Sequence, residues 1–180
     1  MPPAQTTQLH DLAARLARTA GNIARTLLGL VLLAMVILNV INAAGRYTVG
    51  AVFIGADELL VFAMIFMVMI GMLIVTAERG HIALDFLANR LGRRANLALG
   101  LLHDLIILIA SAYAAVQSFA FVTRVGAMGQ TSMALGLSMV VPHSALALGF
   151  SGTAVVSALL LLRDILALRA GSESAGSARP

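Results

Sequence analysis

Cysteine is absent from this chain of 180 residues, and charged side chains make up only 11% of it. Without cysteine the chain has no disulfide, no thiolate metal site and no cysteine nucleophile. The small share of charge, together with 60% apolar residues and a mean hydropathy of +0.96, does not fit the polar surface of a soluble domain. The sequence therefore predicts a protein whose solvent is lipid.

Lysine is absent as well, so the formal net charge of +4 rests on arginine. The arginines flank apolar runs and do not gather on one face, as they would in a nucleic-acid-binding protein. The sequence therefore predicts no nucleic-acid partner.

Four uncharged apolar runs are long enough to cross a bilayer. They cover residues 26–45, 59–77, 105–123 and 144–162. A helix rises about 1.5 Å per residue, so about 20 residues cross the hydrocarbon layer of roughly 30 Å. No run alternates as a barrel strand does, and helices satisfy their own backbone groups in lipid. The predicted fold class is an all-α integral membrane protein with four transmembrane helices.

The arginines also predict the orientation. All of them except Arg46 and Arg124 fall on the side of the membrane that holds both termini. By the positive-inside rule that side is the cytoplasm. We expect a cytoplasmic N-terminus over 1–25, a four-helix membrane domain over 26–162 and a cytoplasmic, largely disordered tail over 163–180, in which Gly171 to Pro180 is disordered.

Two amphipathic helices are predicted outside the spans. Leu9, Leu12 and Leu16 share a helical face, which predicts an interfacial helix before the chain turns into the membrane. A short helix is predicted between spans two and three, with His81 and Asp85 on its polar face. That polar face is either solvated or a docking site.

The outer half of the first span carries a polar stripe. Asn39, Asn42 and Arg46 follow one another at spacings of three and four, and such a stripe is unfavourable against lipid unless it meets protein. Asp57 and Glu58 come soon afterwards, at the outer start of span two. We predict an ion pair between Arg46 and one of these carboxylates, Glu58 by preference. The alternative is that these charges simply lie among lipid head groups.

No set of residues predicts catalysis, a cofactor or a metal site. A haem or quinone anchor would need histidines at matching depth, but His103 lies near the inner end of span three and His143 near the outer end of span four. His103 and its neighbour Asp104 form either a buried relay or the cytoplasmic shoulder of the helix, and we expect the shoulder, with both side chains reaching water. A self-sufficient small exporter would need an acidic residue within a span, and the four runs contain none.

Several short motifs follow one another from the first span to the fourth. They are Asn39-Val40, Arg46-Tyr47, Asp57-Glu58-Leu59, Gly71, Glu78-Arg79-Gly80-His81-Ile82 with Asp85, Gln130-Thr131-Ser132, Ala134-Leu135-Gly136 and Pro142. In order and spacing they resemble the small membrane subunit (DctQ type) of tripartite ATP-independent periplasmic (TRAP) transporters. The resemblance runs from Gly21 to Leu162.

This resemblance implies a small permease subunit in the bacterial inner membrane. Its implied partners are a large TRAP membrane subunit, a periplasmic solute-binding protein and membrane lipid. The small subunit would scaffold the large one and help dock the binding protein, during cation-coupled, ATP-independent uptake of an organic acid. It would bind no substrate itself, which agrees with the lack of an internal repeat or a charge deep within a span.

Overall fold

The computed structural model describes residues 3–50, 52–78 and 93–176. Four helices account for most of them: α1 (Pro3–Thr48), α2 (Ala56–Ala77), α3 (Arg93–Met128) and α4 (Val140–Gly176). Within these described ranges there is no strand, and the β-structure consists of an isolated bridge between Thr131 and Ser138. The prediction of an all-α protein is confirmed.

Each helix contains one segment that is long and apolar enough to cross a membrane. These segments are Thr19–Thr48, Ala56–Ala77, Leu97–Met128 and Val140–Leu166, and each includes one of the four predicted runs. The prediction of four spans is confirmed. The first, third and fourth segments exceed about 20 residues, so they tilt or extend beyond the hydrocarbon layer.

Two helix ends differ from the sequence-based expectation. α1 is continuous from Pro3, so the stripe of Leu9, Leu12 and Leu16 belongs to the same helix as the first span. No proline lies between Leu16 and Thr26 to break it. α4 continues through Gly176, past Gly171, where a disordered tail was expected. The placement of the N-terminal stripe in the interface stays a prediction.

The chain divides into two compact units, residues 1–67 and 68–180. The first contains α1, the start of α2 and the turn between them, in which Gly50 and Gly55 have positive φ angles of 69° and 92°. From residue 19 onward, the less exposed residues of α1 recur at spacings of three, four and, once, seven, as in helices that pack with a period of 3.5 residues. They are Gly21, Ala24, Leu28, Met35, Leu38, Asn42 and Gly45.

In the second unit, α3 and α4 pack against each other, and Met69 and Leu73 in the C-terminal half of α2 lie against α4. α4 buries a column of small residues with a spacing of four, namely Ala145, Gly149, Thr153 and Ser157. A Cβ atom on Gly149 would stand 2.7 Å from Met69 Cβ, and one on Gly152 would stand 2.9 Å from Leu73 Cδ2. Small residues therefore allow the two backbones to approach closely.

Residues 129–139 form a compact connection between α3 and α4. The Ser132 N–H donates to the Leu137 carbonyl at 2.8 Å, and the Met139 N–H donates to the Gln130 carbonyl at 3.0 Å. The loop begins after α3 ends at Met128. Pro142 lies in the first turn of α4, where its missing N–H is not needed.

Candidate functional site

Two asparagines lie one turn apart on the C-terminal half of α1, and their surroundings differ. Asn42 is 7% exposed, and its Oδ1 accepts a hydrogen bond of 2.9 Å from the Phe53 N–H. This bond attaches the turn before α2 to the side of α1. Asn39 is exposed, and within the described part of the chain its amide makes no hydrogen bond.

Arg46 and Asp57 lie on a polar cleft at the end of the α1–α2 hairpin. The cleft has a volume of about 200 Å³, and its lining consists of Asn39, Asn42, Ala43, Arg46, Tyr47 and Asp57. Arg46, Tyr47 and Asp57 are exposed. The structure thus brings together four of the residues that the sequence singled out.

The predicted ion pair between Arg46 and Glu58 or Asp57 stays a prediction. Arg46 and Asp57 are both exposed, where ordering two side chains for a pair gains little free energy. Glu58 is half-buried. Residues 79–92 lie outside the described ranges, so the predictions for His81 and Asp85 stay predictions.

A second cleft lies deeper between α1 and the start of α2. It has a volume of about 360 Å³ and is lined by Leu32, Met35, Val36, Asn39, Val40, Leu60, Val61 and Met64. Asn39 is the polar residue of this lining, and it also borders the polar cleft. Its amide therefore stands at the boundary between an apolar groove and a polar one.

A third cleft lies between the C-terminal part of α3 and the start of α4. It has a volume of about 330 Å³, and its lining consists of Gln117, Ser118, Ala120, Phe121, Arg124, His143 and Leu146. Nδ1 of His143 donates to the Met139 carbonyl at 2.6 Å, and the ring lies 4.8 Å from that of Phe121. Sequence reasoning did not single out this cleft, although Gln117, Phe121 and Arg124 share one helical face.

His103 and Asp104 differ in exposure. Nδ1 of His103 lies 3.3 Å from Oδ1 of Asp104, and Asp104 is 4% exposed. The expectation that Asp104 reaches water is therefore wrong. Asp104 lies on the same face of α3 as the buried Ser111 and Ala115, which is the covered face of that helix.

The histidines of α3 and α4 do not form a shared cofactor site. His143 contacts Phe121, which lies 18 residues along α3 from His103, or about 27 Å at the helical rise. One haem cannot bridge that distance. In residues 3–50, 52–78 and 93–176 no three side chains of His, Asp or Glu form a group that could hold a metal ion.

Comparison with curated proteins gives no match. The family model described as "Tripartite ATP-independent periplasmic transporters, DctQ component" matches residues 32–167, which is more than half of the chain. The matched range includes the hairpin with its polar cleft and most of the four spans. The resemblance found in the motifs is confirmed, and the protein is a multi-pass protein of the inner membrane. The chain therefore belongs to the DctQ family, the small membrane component of TRAP transporters.

Proposed function

We propose that this small TRAP subunit scaffolds the large membrane subunit through α1 and helps dock the periplasmic solute-binding protein at the outer end of the α1–α2 hairpin. In this proposal it acts during cation-coupled, ATP-independent uptake of an organic acid. The uptake reaction rests on the family resemblance. The two interaction surfaces rest on side chains of the first unit.

The observation that carries the proposal is the exposed amide of Asn39 within the first span. An amide that faces hydrocarbon without a hydrogen bond costs several kcal/mol, in the range of about 2–7 kcal/mol. Asn39 lies in the apolar segment Thr19–Thr48 and makes no hydrogen bond within the described residues. A protein neighbour that supplies a donor or an acceptor removes this cost, whereas lipid chains do not.

The apolar surface of α1 supports a large neighbour. Leu27, Leu30 and Ile41 are 56%, 57% and 63% exposed, and they are spread over the length of the span. Lipid covers such side chains as well as protein does, so their exposure alone does not select a partner. The apolar groove beside Asn39 is a concave part of this surface, and it can accommodate apolar side chains from a helix of the large subunit.

The polar cleft supports docking of a soluble partner. In the predicted orientation, Arg46, Tyr47 and Asp57 face the periplasm, where the binding protein arrives. Tyr47 is 87% exposed, and tyrosine and arginine are enriched in protein interfaces. The cleft holds charges of both signs, which favours one orientation of a partner with complementary charges.

The proposal is tested by co-purification with the large subunit. Replacing Asn39 by Leu removes the amide that the large subunit is proposed to meet, so the yield of the complex should fall several-fold. Replacing Arg46 by Ala should leave that yield unchanged but weaken retention of the binding protein and lower uptake. The measurement is quantitative pull-down from mild detergent, followed by solute uptake in reconstituted liposomes.

Ile37→Ala is the matched control for Asn39→Leu. Ile37 is 49% exposed in the same span but lies about 200° away around the helix. The control should keep the parent's yield of complex. Equal yields for Asn39→Leu and the parent would contradict the proposed role of α1, and unchanged binding-protein retention in Arg46→Ala would contradict the docking surface.

A further inference from the structure

The cleft between α3 and α4 combines features that the scaffold function does not use. It is defined by Gln117, Phe121 and Arg124 on α3 and by His143 and Leu146 on α4. We call it the α3–α4 cleft. Its residues form none of the motifs that carry the family resemblance, and it lies wholly within the second unit.

Charge in the α3–α4 cleft is of one sign. Arg124 is exposed, and the residues lining the cleft include no carboxylate. Arg124 and Arg46 are also the two arginines on the side of the membrane that the sequence predicts to be poor in arginine. An exposed guanidinium at the end of a span favours an anion that accepts hydrogen bonds through two of its oxygens at once.

The hydrogen bond that His143 makes to Met139 determines which of its ring nitrogens can accept a hydrogen bond from a ligand. Because a carbonyl oxygen accepts but does not donate, the contact with Met139 requires a proton on Nδ1. In the neutral ring Nε2 is then an acceptor. Contact with Phe121 and the position of His143 in the first turn of α4, directly after Pro142, restrict the ring. The cleft therefore offers a donor group for an anion beside an acceptor for a hydroxyl.

The polarity of the cleft changes with depth. Arg124 lies near the end of the segment Leu97–Met128, and Gln117 lies seven residues further in, or about 10 Å at the helical rise. Between these two side chains the wall is formed by Phe121, Ala120 and, from α4, Leu146. A ligand with a polar head at the membrane surface and an apolar chain pointing inward matches this order.

We propose that the α3–α4 cleft is a phospholipid site that prefers an anionic head group carrying a hydroxyl. The lipid phosphate contacts the Arg124 guanidinium, a head-group hydroxyl donates to Nε2 of His143, and an acyl chain lies along Phe121 and Leu146. A guanidinium binds a phosphate through charge-assisted hydrogen bonds, so the protein supplies charge and shape without any covalent step. The volume of about 330 Å³ suits the head group, while the rest of the lipid remains in the bilayer.

Native mass spectrometry of the full chain in mild detergent tests the site. Phosphatidylglycerol, whose glycerol head carries hydroxyls, should bind more tightly than phosphatidylcholine, which has a phosphate but no donor. Replacing Arg124 by Gln should weaken phosphatidylglycerol binding by about five- to tenfold, because the charged contact is lost. Arg46→Gln removes an exposed arginine of the same predicted side and should leave the lipid binding unchanged.

Two further measurements keep the test decisive. Inorganic phosphate at millimolar concentration should not displace the lipid, and displacement would overturn the proposal in favour of a soluble anion. A phosphatidylglycerol with a photoreactive acyl chain should cross-link to peptides from 113–128 or 139–148. Equal binding of the two lipids, equal loss in Arg124→Gln and Arg46→Gln, or cross-links confined to other segments would each overturn it. A loss of complex yield in Arg124→Gln with unchanged lipid binding would assign Arg124 to a protein partner instead.

Discussion

At the scale of single residues, Asn39 and Asn42 are neighbouring amides in one span that differ in burial and in hydrogen bonding. The Asn42 side chain is buried, and its Oδ1 accepts a hydrogen bond from the Phe53 N–H, so its carbonyl group has a partner within the chain. Asn39 is exposed beside an apolar groove. A buried amide that has a partner stabilises the fold, whereas an exposed one in lipid favours association with another protein.

The first residue-scale prediction concerns Asn42. Replacing it by Leu leaves the Phe53 N–H without its acceptor, which should lower the free energy of unfolding by about 1–3 kcal/mol. Asn42→Asp keeps an acceptor at this position and should restore part of the loss. The measurement is thermal unfolding of the purified chain in mild detergent, followed by circular dichroism.

Asn39→Leu is the matched control, since it makes the same substitution one turn away at an exposed position. It should change the free energy of unfolding by less than about 0.5 kcal/mol, as exposed substitutions usually do. If Asn39→Leu destabilised the isolated chain as strongly as Asn42→Leu does, the two amides would not have the separate roles that their contacts indicate.

The polar stripe of α1 could be predicted from the sequence, but the partner of each side chain could not. A spacing of three and four places Asn39, Asn42 and Arg46 on one side of a helix, whatever follows. The bond to Phe53 depends on the turn at Gly50 and Gly55, both of which have positive φ angles. Charge and spacing suggested an Arg46 ion pair. The sequence does not show, however, that Arg46 and Asp57 are both exposed, where such a pair gains little free energy.

At the scale of helices, α4 owes its packing to small side chains. Gly149 and Thr153 lie on the same buried column, and the Thr153 hydroxyl donates to the Gly149 carbonyl at 2.9 Å, so it needs no other partner. Met69 and Leu73 of α2 fill the space that the missing side chains of Gly149 and Gly152 leave. In lipid, where apolar side chains gain little by leaving the solvent, such close contact provides much of the stabilisation.

The helix-scale prediction is an order of effects for three glycine-to-alanine substitutions. Gly149→Ala places a methyl group 2.7 Å from Met69 Cβ, next to the backbone, and should destabilise by about 1–3 kcal/mol. Gly152→Ala meets the flexible end of Leu73 and should cost less. Gly71→Ala has nothing within 4 Å and should be neutral or stabilising, since alanine favours helix.

Thermal unfolding of the three variants in one detergent checks this order. Leu73→Ala added to Gly152→Ala removes the atoms that the new methyl group meets, so the double variant should lose less stability than the two single effects combined. An unfolding midpoint for Gly149→Ala equal to that of Gly71→Ala would show that α2 and α4 do not approach closely at Met69.

The sequence predicted the number and type of the helices better than their contacts. Apolar length alone identifies each span, because the hydrocarbon thickness sets the number of residues needed. The tight contacts lie at Gly149 and Gly152 on α4, whereas a Cβ atom on Gly71 of α2 would have nothing within 4 Å. The fourfold spacing of Ala145, Gly149, Thr153 and Ser157 is visible in the sequence, yet small residues are too common in membrane helices to choose a face without the partner.

At the scale of the whole molecule, the distribution of charge matters more than any single contact. Arginine lies almost entirely in segments that the sequence assigns to the cytoplasm, and the four spans provide the apolar surface. A protein with this distribution is oriented by its loops and stabilised by its surroundings. This agrees with a component that works inside a larger transporter.

The orientation is a prediction that the chain makes easy to test, because it contains no cysteine and a single introduced thiol gives no background. Met133 is fully exposed in the loop between α3 and α4, and Ser177 follows α4. A membrane-impermeant maleimide should label Met133→Cys in spheroplasts at once, but Ser177→Cys only after the membrane is opened. The physical reason is the cost of leaving the arginines of residues 1–25, 79–94 and 163–180 on the outer side.

Both variants should also keep the parent's yield of complex, which verifies that labelling reports the assembled protein. Immediate labelling of Ser177→Cys would show that the orientation is the opposite of the predicted one. Arg46 and Arg124 would then lie in the cytoplasm, and a periplasmic partner could not dock at the hairpin.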